Sequence, residues 1–293
     1  MAHTFHIVDV FAEQAYAGNQ LAVVTDADDL PAGTMQLIAA ETNYSETTFV
    51  GRAPEADGAW RVRLFTPARE LAFAGHPILG TAWVIRRHLA LDGADQIRLQ
   101  LAVGQVPVRF ERAKDGQETV WFQAPPAELG PSCEPDDIAG SLGLAPGDID
   151  DASPVQMLSA GVAILIVPVK RLDALERARL DLEAHAPLAA RGFPSLVYLF
   201  CRETRDAQND LCVRFFFEAH GVREDPATGN GAAFLGHYLL EHGLFGDRLA
   251  LRIEQGHALR RPSLILLRAR RQGEAREVEV GGHVVPVVRG ELL

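Results

Sequence analysis

The strongest constraint on the fold is that the chain repeats itself. His76-Pro77-Ile78-Leu79-Gly80-Thr81-Ala82 returns 149 residues later as Asp225-Pro226-Ala227-Thr228-Gly229-Asn230-Gly231-Ala232. Both stretches read [HD]-P-x-x-G, then small residues, then a helical run. Gly18-Asn19-Gln20-Leu21 is echoed at Gly161, and Ser45-Glu46-Thr47-Thr48 at Pro194, in the same order and at nearly the same offset. Three ordered echoes predict an internal duplication, each copy roughly half the chain.

Strand-like runs support two sheet-rich halves. Alternation or β-branched content marks 5–9, 21–24, 47–50, 60–65, 97–101, 106–110 and 119–122 in the first half. The second half has 154–158, 163–167, 196–200, 211–217, 250–253, 264–268 and 277–280. Helical patterns fall at 31–41, 77–88, 136–141, 172–180 and 227–242. The proline-rich stretch 123–135 reads as a connector, and the charged tract 268–276 as a solvated hairpin turn. The expected fold is α+β, with halves at 1–125 and 126–293 and the C-terminal end free to pack back onto the first half. Helices 77–88 and 227–242 are apolar on most faces, so each is expected to be buried within its own mixed sheet.

A pseudo-twofold arrangement would aim the N-termini of these two helices into one cleft. Each would present unpaired N–H groups and a partial positive charge, suited to a small carboxylate. Gly75, Gly80, Gly229 and Gly231 would let a ligand approach the backbone. His76 and Asp225 would hold matching places on the two mouths. The plainer alternative is an N-cap aspartate and a turn histidine. Glu46 opens a strand rich in Thr, Phe and Val, where desolvation would raise its pKa into the range of a general acid or base; the alternative is a solvated strand-end glutamate. Asn19, in a turn before a strand, is placed to reach a ligand. Arg260 and Arg261 would bring a cation near a carboxylate or lie on the surface. His220, His237 and His242 read as structural residues on helix and loop surfaces.

Several classes are disfavoured. The net charge of −11 speaks against a duplex nucleic-acid binder. No apolar run approaches the roughly 20 residues of a membrane span, and the opening MAHTFHIVDVF lacks the pattern of a secretory signal. Three scattered cysteines, Cys133, Cys201 and Cys212, fit a reducing cytoplasm better than a disulfide framework. No HExxH, CxxC, P-loop or GxGxxG spacing occurs, so no metal or nucleotide site is expected.

The chain resembles the PhzF family of isomerases, named for phenazine biosynthesis, within the diaminopimelate-epimerase fold. The resemblance spans nearly the whole chain. It rests on Val8-Asp9-Val10-Phe11, Ala17-Gly18-Asn19-Gln20, Asn43-Tyr44-Ser45-Glu46-Thr47, Phe65-Thr66-Pro67, Phe73-Ala74-Gly75-His76-Pro77, Glu224-Asp225-Pro226-Ala227-Thr228-Gly229 and Gln255-Gly256 before Arg261-Pro262-Ser263. It implies two barrel-like halves, each closed around a helix, with the active site between them, and a homodimer. Glu46 would be the acid/base, and His76 and Asp225 would bind and orient the substrate. Gly229 and the next residue would hold its carboxylate, with Gly75, Gly231, Ser45 and Asn19 nearby. That next residue is Asn230, where the phenazine enzyme has serine, so the substrate stays open. Epimerase relatives use two thiols at the helix mouths; none of the three cysteines lies there.

Three functions compete. The first is a cofactor-independent isomerase moving a proton within a small carboxylated substrate, as trans-2,3-dihydro-3-hydroxyanthranilate isomerase does. The second is an epimerase or racemase working without thiols. The third is a ligand-binding protein that kept the fold and lost catalysis.

Overall fold

Strict alternation builds the outer strands. Ile97, Leu99 and Leu101 point inwards, and Val108 and Val106 answer Ile97 and Leu99 across the pair. The computed structural model describes residues 3–90, 93–114, 116–217 and 224–292. It divides into two units, Met1–Gln123 with Val280–Leu293, and Ala124–Glu279.

The first unit opens with β1 (His3–Val10) and β2 (Asn19–Val24), then α1 (Ala32–Thr42), β3 (Glu46–Val50), β4 (Trp60–Phe65), β5 (Glu70–Leu71) and α2 (Gly75–Val84). It continues with β6 (Gln96–Leu101), β7 (Gly104–Arg112) and β8 (Glu118–Gln123). The sheet is mixed. β1–β2 is antiparallel, β2–β3 parallel, β3–β4 antiparallel, β4–β6 parallel and β6–β7 antiparallel. Every residue of α2 is buried, and the helix packs on β1, β2 and β3. Pro77 is tolerated inside it because first-turn N–H groups have no intrahelical acceptor. The expected run to residue 88 holds only in part: after Val84 the backbone enters a π-helical turn at Ile85–Leu89.

The second unit holds β9 (Glu128–Cys133), α3 (Pro135–Ala139), β10 (Val155–Ser159), β11 (Ala163–Pro168), α4 (Leu172–Arg177), α5 (Leu182–Ala190), β12 (Val197–Cys201), β13 (Leu211–Phe216), β14 (Glu224–Asp225), α6 (Gly229–Glu241), β15 (Arg248–Gln255) and β16 (Ser263–Gln272), and most of β17 (Ala275–Gly282). Its pairings follow the same succession. β10–β11 is antiparallel, β11–β12 parallel, β12–β13 antiparallel, β13–β15 parallel and β15–β16 antiparallel. The chain then supplies β18 (Val284–Leu292) to the first unit, antiparallel to β1.

The short strands β5 and β14 also correspond. Glu70 pairs with Phe65 and is bonded by Arg63; Glu224 pairs with Phe216 and is bonded by Arg214. Each arginine lies over the phenylalanine two residues on, at 5.1 and 4.8 Å.

Three expectations need correction, and α5 is an element that the sequence patterns do not mark. The stretch 123–135 contains a strand, β9, which tolerates Pro131 because it pairs with β10 across an irregular register. The tract 268–276 is mostly strand, and its turn is confined to residues 273–274, with Arg270 bonded to Glu277 at 2.6 Å across it. α5 forms despite Pro187, because the Asp181 side chain accepts from the N–H groups of Glu183 and Ala184. Gly80 serves packing rather than a ligand: a Cβ there would lie 2.6 Å from Leu21 and 2.8 Å from Val10.

Candidate active site

Glu46 is set in place by its neighbours. α1 ends at Asn43 in the left-handed conformation (φ 52°), and the chain turns through Tyr44 and Ser45, both half-buried, into β3. Glu46 pairs with Leu21 of β2. The hydroxyls of Thr47 and Thr42 lie 2.8 Å apart, and so do those of Thr48 and Thr81 on α2. This last, buried bond ties the strand of Glu46 to the helix of His76.

His76 is the second residue of α2. Its Nε2 lies 3.5 Å from Glu46 Oε2, with side-chain exposures of 5% and 12%. Its Nδ1 lies 3.2 Å from Asn19 Nδ2. Asn19 opens β2 after Gly18, whose φ of 65° and close approach to the Val10 carbonyl bar a side chain. The preceding loop is held by buried Asp9, which accepts from the Tyr16 N–H at 2.6 Å. Burial pushes the His76 pKa down to about 3, against a backbone hydrogen bond at Gln20 that favours the charged ring. The imidazole is therefore neutral at pH 7. The ring presents Nδ1 to the Asn19 amide and Nε2 to Glu46.

This shift has a testable sign. The unfolded chain protonates His76 near 6.5 and the folded chain only near 3. Between those values the unfolded state binds more protons, so stability falls as pH falls, by about 1.4 kcal/mol per pH unit for one such proton. Urea unfolding through that window should show a shallower pH slope for His76→Asn. Equal slopes would remove the assignment.

In the second unit, Asp225 is buried, but it does not cap α6. The N-cap is Thr228, whose hydroxyl donates to Asp225 Oδ2. Gln255 locks this pair. Its Nε2 donates to the Asp225 carbonyl at 2.8 Å and to Thr228 Oγ1 at 3.1 Å, and its Oε1 accepts from the Thr228 N–H at 3.0 Å. The Ser263 hydroxyl donates to the Pro226 carbonyl at 3.0 Å. Gly229, Asn230 and Gly231 form the first turn, with Asn230 half-buried.

His76 and Asp225 are not matching residues, contrary to the sequence expectation. His76 lies inside its helix, whereas Asp225 lies in β14, before the N-cap. The helices start at Gly75 and Gly229, so the residue that holds in α6 the place of His76 in α2 is Asn230. Gly231, expected to admit a ligand, is small for a different reason: a Cβ there would overlap the Tyr198 ring.

Other expectations resolve simply. His237 is buried rather than on a surface, with Nε2 3.2 Å from the Pro125 carbonyl, and His242 lies 2.8 Å from Gln156. His220 lies outside the described residues. Arg260 is exposed and Arg261 half-buried. Among the described residues no group of three His, Cys, Asp or Glu is placed to hold a metal ion, and no helix is long and apolar enough to cross a membrane. A cavity of about 650 Å³ lies at the other end of α2, among Trp83, Arg87, His88 and His283; Glu46 and His76 do not line it. Thr228, Gln255 and Tyr198 went unselected by sequence reasoning. Gln255 carried a signal: it is a polar residue at the end of a strand, directly before Gly256.

The family described as phenazine biosynthesis-like protein, PhzC-PhzF, matches residues 8–290. The chain belongs to this family. It is 37% identical to an uncharacterized isomerase of Mesorhizobium japonicum, over 98% of this chain and 97% of the relative. It is 34% identical to the trans-2,3-dihydro-3-hydroxyanthranilate isomerase of Pseudomonas aeruginosa, over 98% of each. The crystal structure of a PhzF-family phenazine biosynthesis protein from Bacillus anthracis superposes with a TM-score of 0.91 at 26% identity, covering 100% of this chain and 99% of that one. The chain is thus a PhzF-like isomerase with a mixed α/β fold.

Proposed function

We propose that this enzyme moves a proton between two carbons of a small, cyclic, carboxylated substrate, without a cofactor. The chemistry is that for which its trans-2,3-dihydro-3-hydroxyanthranilate isomerase relatives are named. Glu46 takes a proton from one carbon, the electrons shift along the conjugated system, and Glu46 returns a proton to another. Atoms and electrons balance without an oxidant or a metal. The observation that carries this reading is the carboxylate of Glu46, nearly buried and 3.5 Å from a neutral imidazole that Asn19 holds. A neutral imidazole can hydrogen-bond Glu46 in either protonation state without trapping it as a fixed ion pair.

The substrate carboxylate is assigned to the first turn of α6. There the N–H groups of Gly229, Asn230 and Gly231 lie in the part of a helix that lacks intrahelical acceptors. Asp225 orients Thr228 at that mouth. The repeated pairing order and the twin Arg–Phe–Glu arrangements support descent of the two units from one duplicated half. Thiol chemistry is disfavoured: burial pushes Cys133 up to about 11 and Cys201 to about 12, and raises Cys212 as well, so all three stay protonated at pH 7.

The test is turnover of trans-2,3-dihydro-3-hydroxyanthranilate in deuterated water, followed by NMR. Migration of a hydrogen from one ring carbon to another is expected. Inversion at a single carbon with solvent deuterium incorporated there would replace this reading with an epimerase. Binding without any turnover would replace it with a ligand-binding protein.

A further inference from the structure

We propose that the hydroxyl of Tyr198 is a substrate-binding donor at the mouth of α6, and that it favours substrates bearing a carboxylate there. The inference rests on the reading that this mouth holds the substrate carboxylate. Three observations meet at Tyr198.

The first is an unmet donor. Tyr198 is fully buried, and its hydroxyl has no hydrogen-bond partner among the described residues. The fold treats another buried tyrosine of this unit differently: Tyr238 donates to the Pro154 carbonyl at 2.7 Å. A phenol sealed away without an acceptor destabilises a protein, and phenylalanine would fill the same space without that cost.

The second is placement. Tyr198 on β12 pairs with Phe215 on β13, and Phe215 pairs with Asp225 on β14. Directly paired residues share a sheet face, so Tyr198 and Asp225 point to the same side, two strands apart. The third is contact with the helix. The Cδ2–Cε2 edge of the Tyr198 ring lies where a side chain of Gly231 would be, so the ring floors the first turn of α6.

The phenol also keeps its proton. Burial raises its pKa, and the nearby charge of Asp225 raises it further. A group held in its donor form on the ring that floors this turn suits a ligand atom that only accepts, as a carboxylate oxygen does.

The experiment compares the wild-type enzyme with Tyr198→Phe, using 3-hydroxyanthranilate and 2-aminophenol, the same ring without the carboxylate, as calorimetric probes. For Tyr198→Phe, a melting temperature equal to or above wild type is expected. Affinity for 3-hydroxyanthranilate should fall about ten-fold or more, the scale of a lost hydrogen bond to a charged group. Affinity for 2-aminophenol should not change. A lower melting temperature would show the hydroxyl to be satisfied inside the fold, and would overturn the inference. Equal affinity of both proteins for 3-hydroxyanthranilate, or equal losses for both probes, would overturn it while leaving the proposed function standing. Failure of the wild-type enzyme to bind 3-hydroxyanthranilate would overturn the carboxylate site itself, and this inference with it.

Discussion

Glu46→Gln should bind substrate normally and lose turnover by about 10²- to 10⁴-fold, the usual cost of removing a general acid or base. Glutamine matches glutamate in size and still hydrogen-bonds, but it cannot give or take a proton at neutral pH. The surroundings argue for a clean experiment. The backbone of residue 46 is held by its pairing with Leu21, and the flanking threonines are bonded to Thr42 and Thr81, so nothing but the side-chain terminus needs to change. The neutral His76 can meet an amide as readily as a carboxylate. A loss confined to kcat, with KM within a few-fold of wild type, would place the proton on Glu46. Wild-type turnover by Glu46→Gln would mean that another group carries it.

How much of this was legible in the sequence depended on whether a residue type had one structural meaning or two. Alternating strands such as β6 and β7 were plain, because period 2 with one buried face has a single reading. Some segments containing proline were read as a connector or left without an element. Pro131, Pro187 and Pro286 each suppress a strand or helix locally, yet β9, α5 and β18 form through long-range pairing or a well-placed cap. The similar segments stand out in the sequence, but their structural register does not. Aligning the two prolines set His76 against Asp225, whereas Pro77 lies within its helix and Pro226 lies two residues before the Thr228 cap. Pairing and helix starts instead align Glu70 with Glu224 and Gly75 with Gly229. The segment from Phe216 to Glu224 is longer than that from Phe65 to Glu70, and this shifts the offset. Glu46, His76 and Asn19 were all selected from sequence, and the fold brings them together. Their mutual distances were not readable, because they come from three different elements.

Arg214→Met should cost about 3–5 kcal/mol of stability, the scale for stranding one member of a buried ion pair. Arg214 and Glu224 are both buried and meet through two bonds, Nε to Oε1 at 3.0 Å and Nη2 to Oε2 at 2.7 Å. The remaining guanidinium nitrogen, Nη1, donates to the carbonyls of Leu175, Glu176 and Ala178 at the end of α4. Removing the arginine strands the Glu224 carboxylate and these carbonyls together. The first unit supplies an internal control. Arg63 and Glu70 make the same two-pronged pair at the corresponding place, at 2.7 Å for each bond, but they are partly open to solvent. Arg63→Met should therefore cost under about 1 kcal/mol. Urea unfolding of both variants measures the difference, and equal small losses would show that burial is not what makes the second pair matter. The double change Arg214→Met with Glu224→Leu should recover part of the stability, because no buried carboxylate is then left without its cation. It should not restore function to the same degree. Glu224 is the neighbour of Asp225, and the ion pair holds the two-residue strand from which Asp225 reaches Thr228. A stable double variant with wild-type turnover would therefore separate the anchor of β14 from the geometry at the mouth of α6.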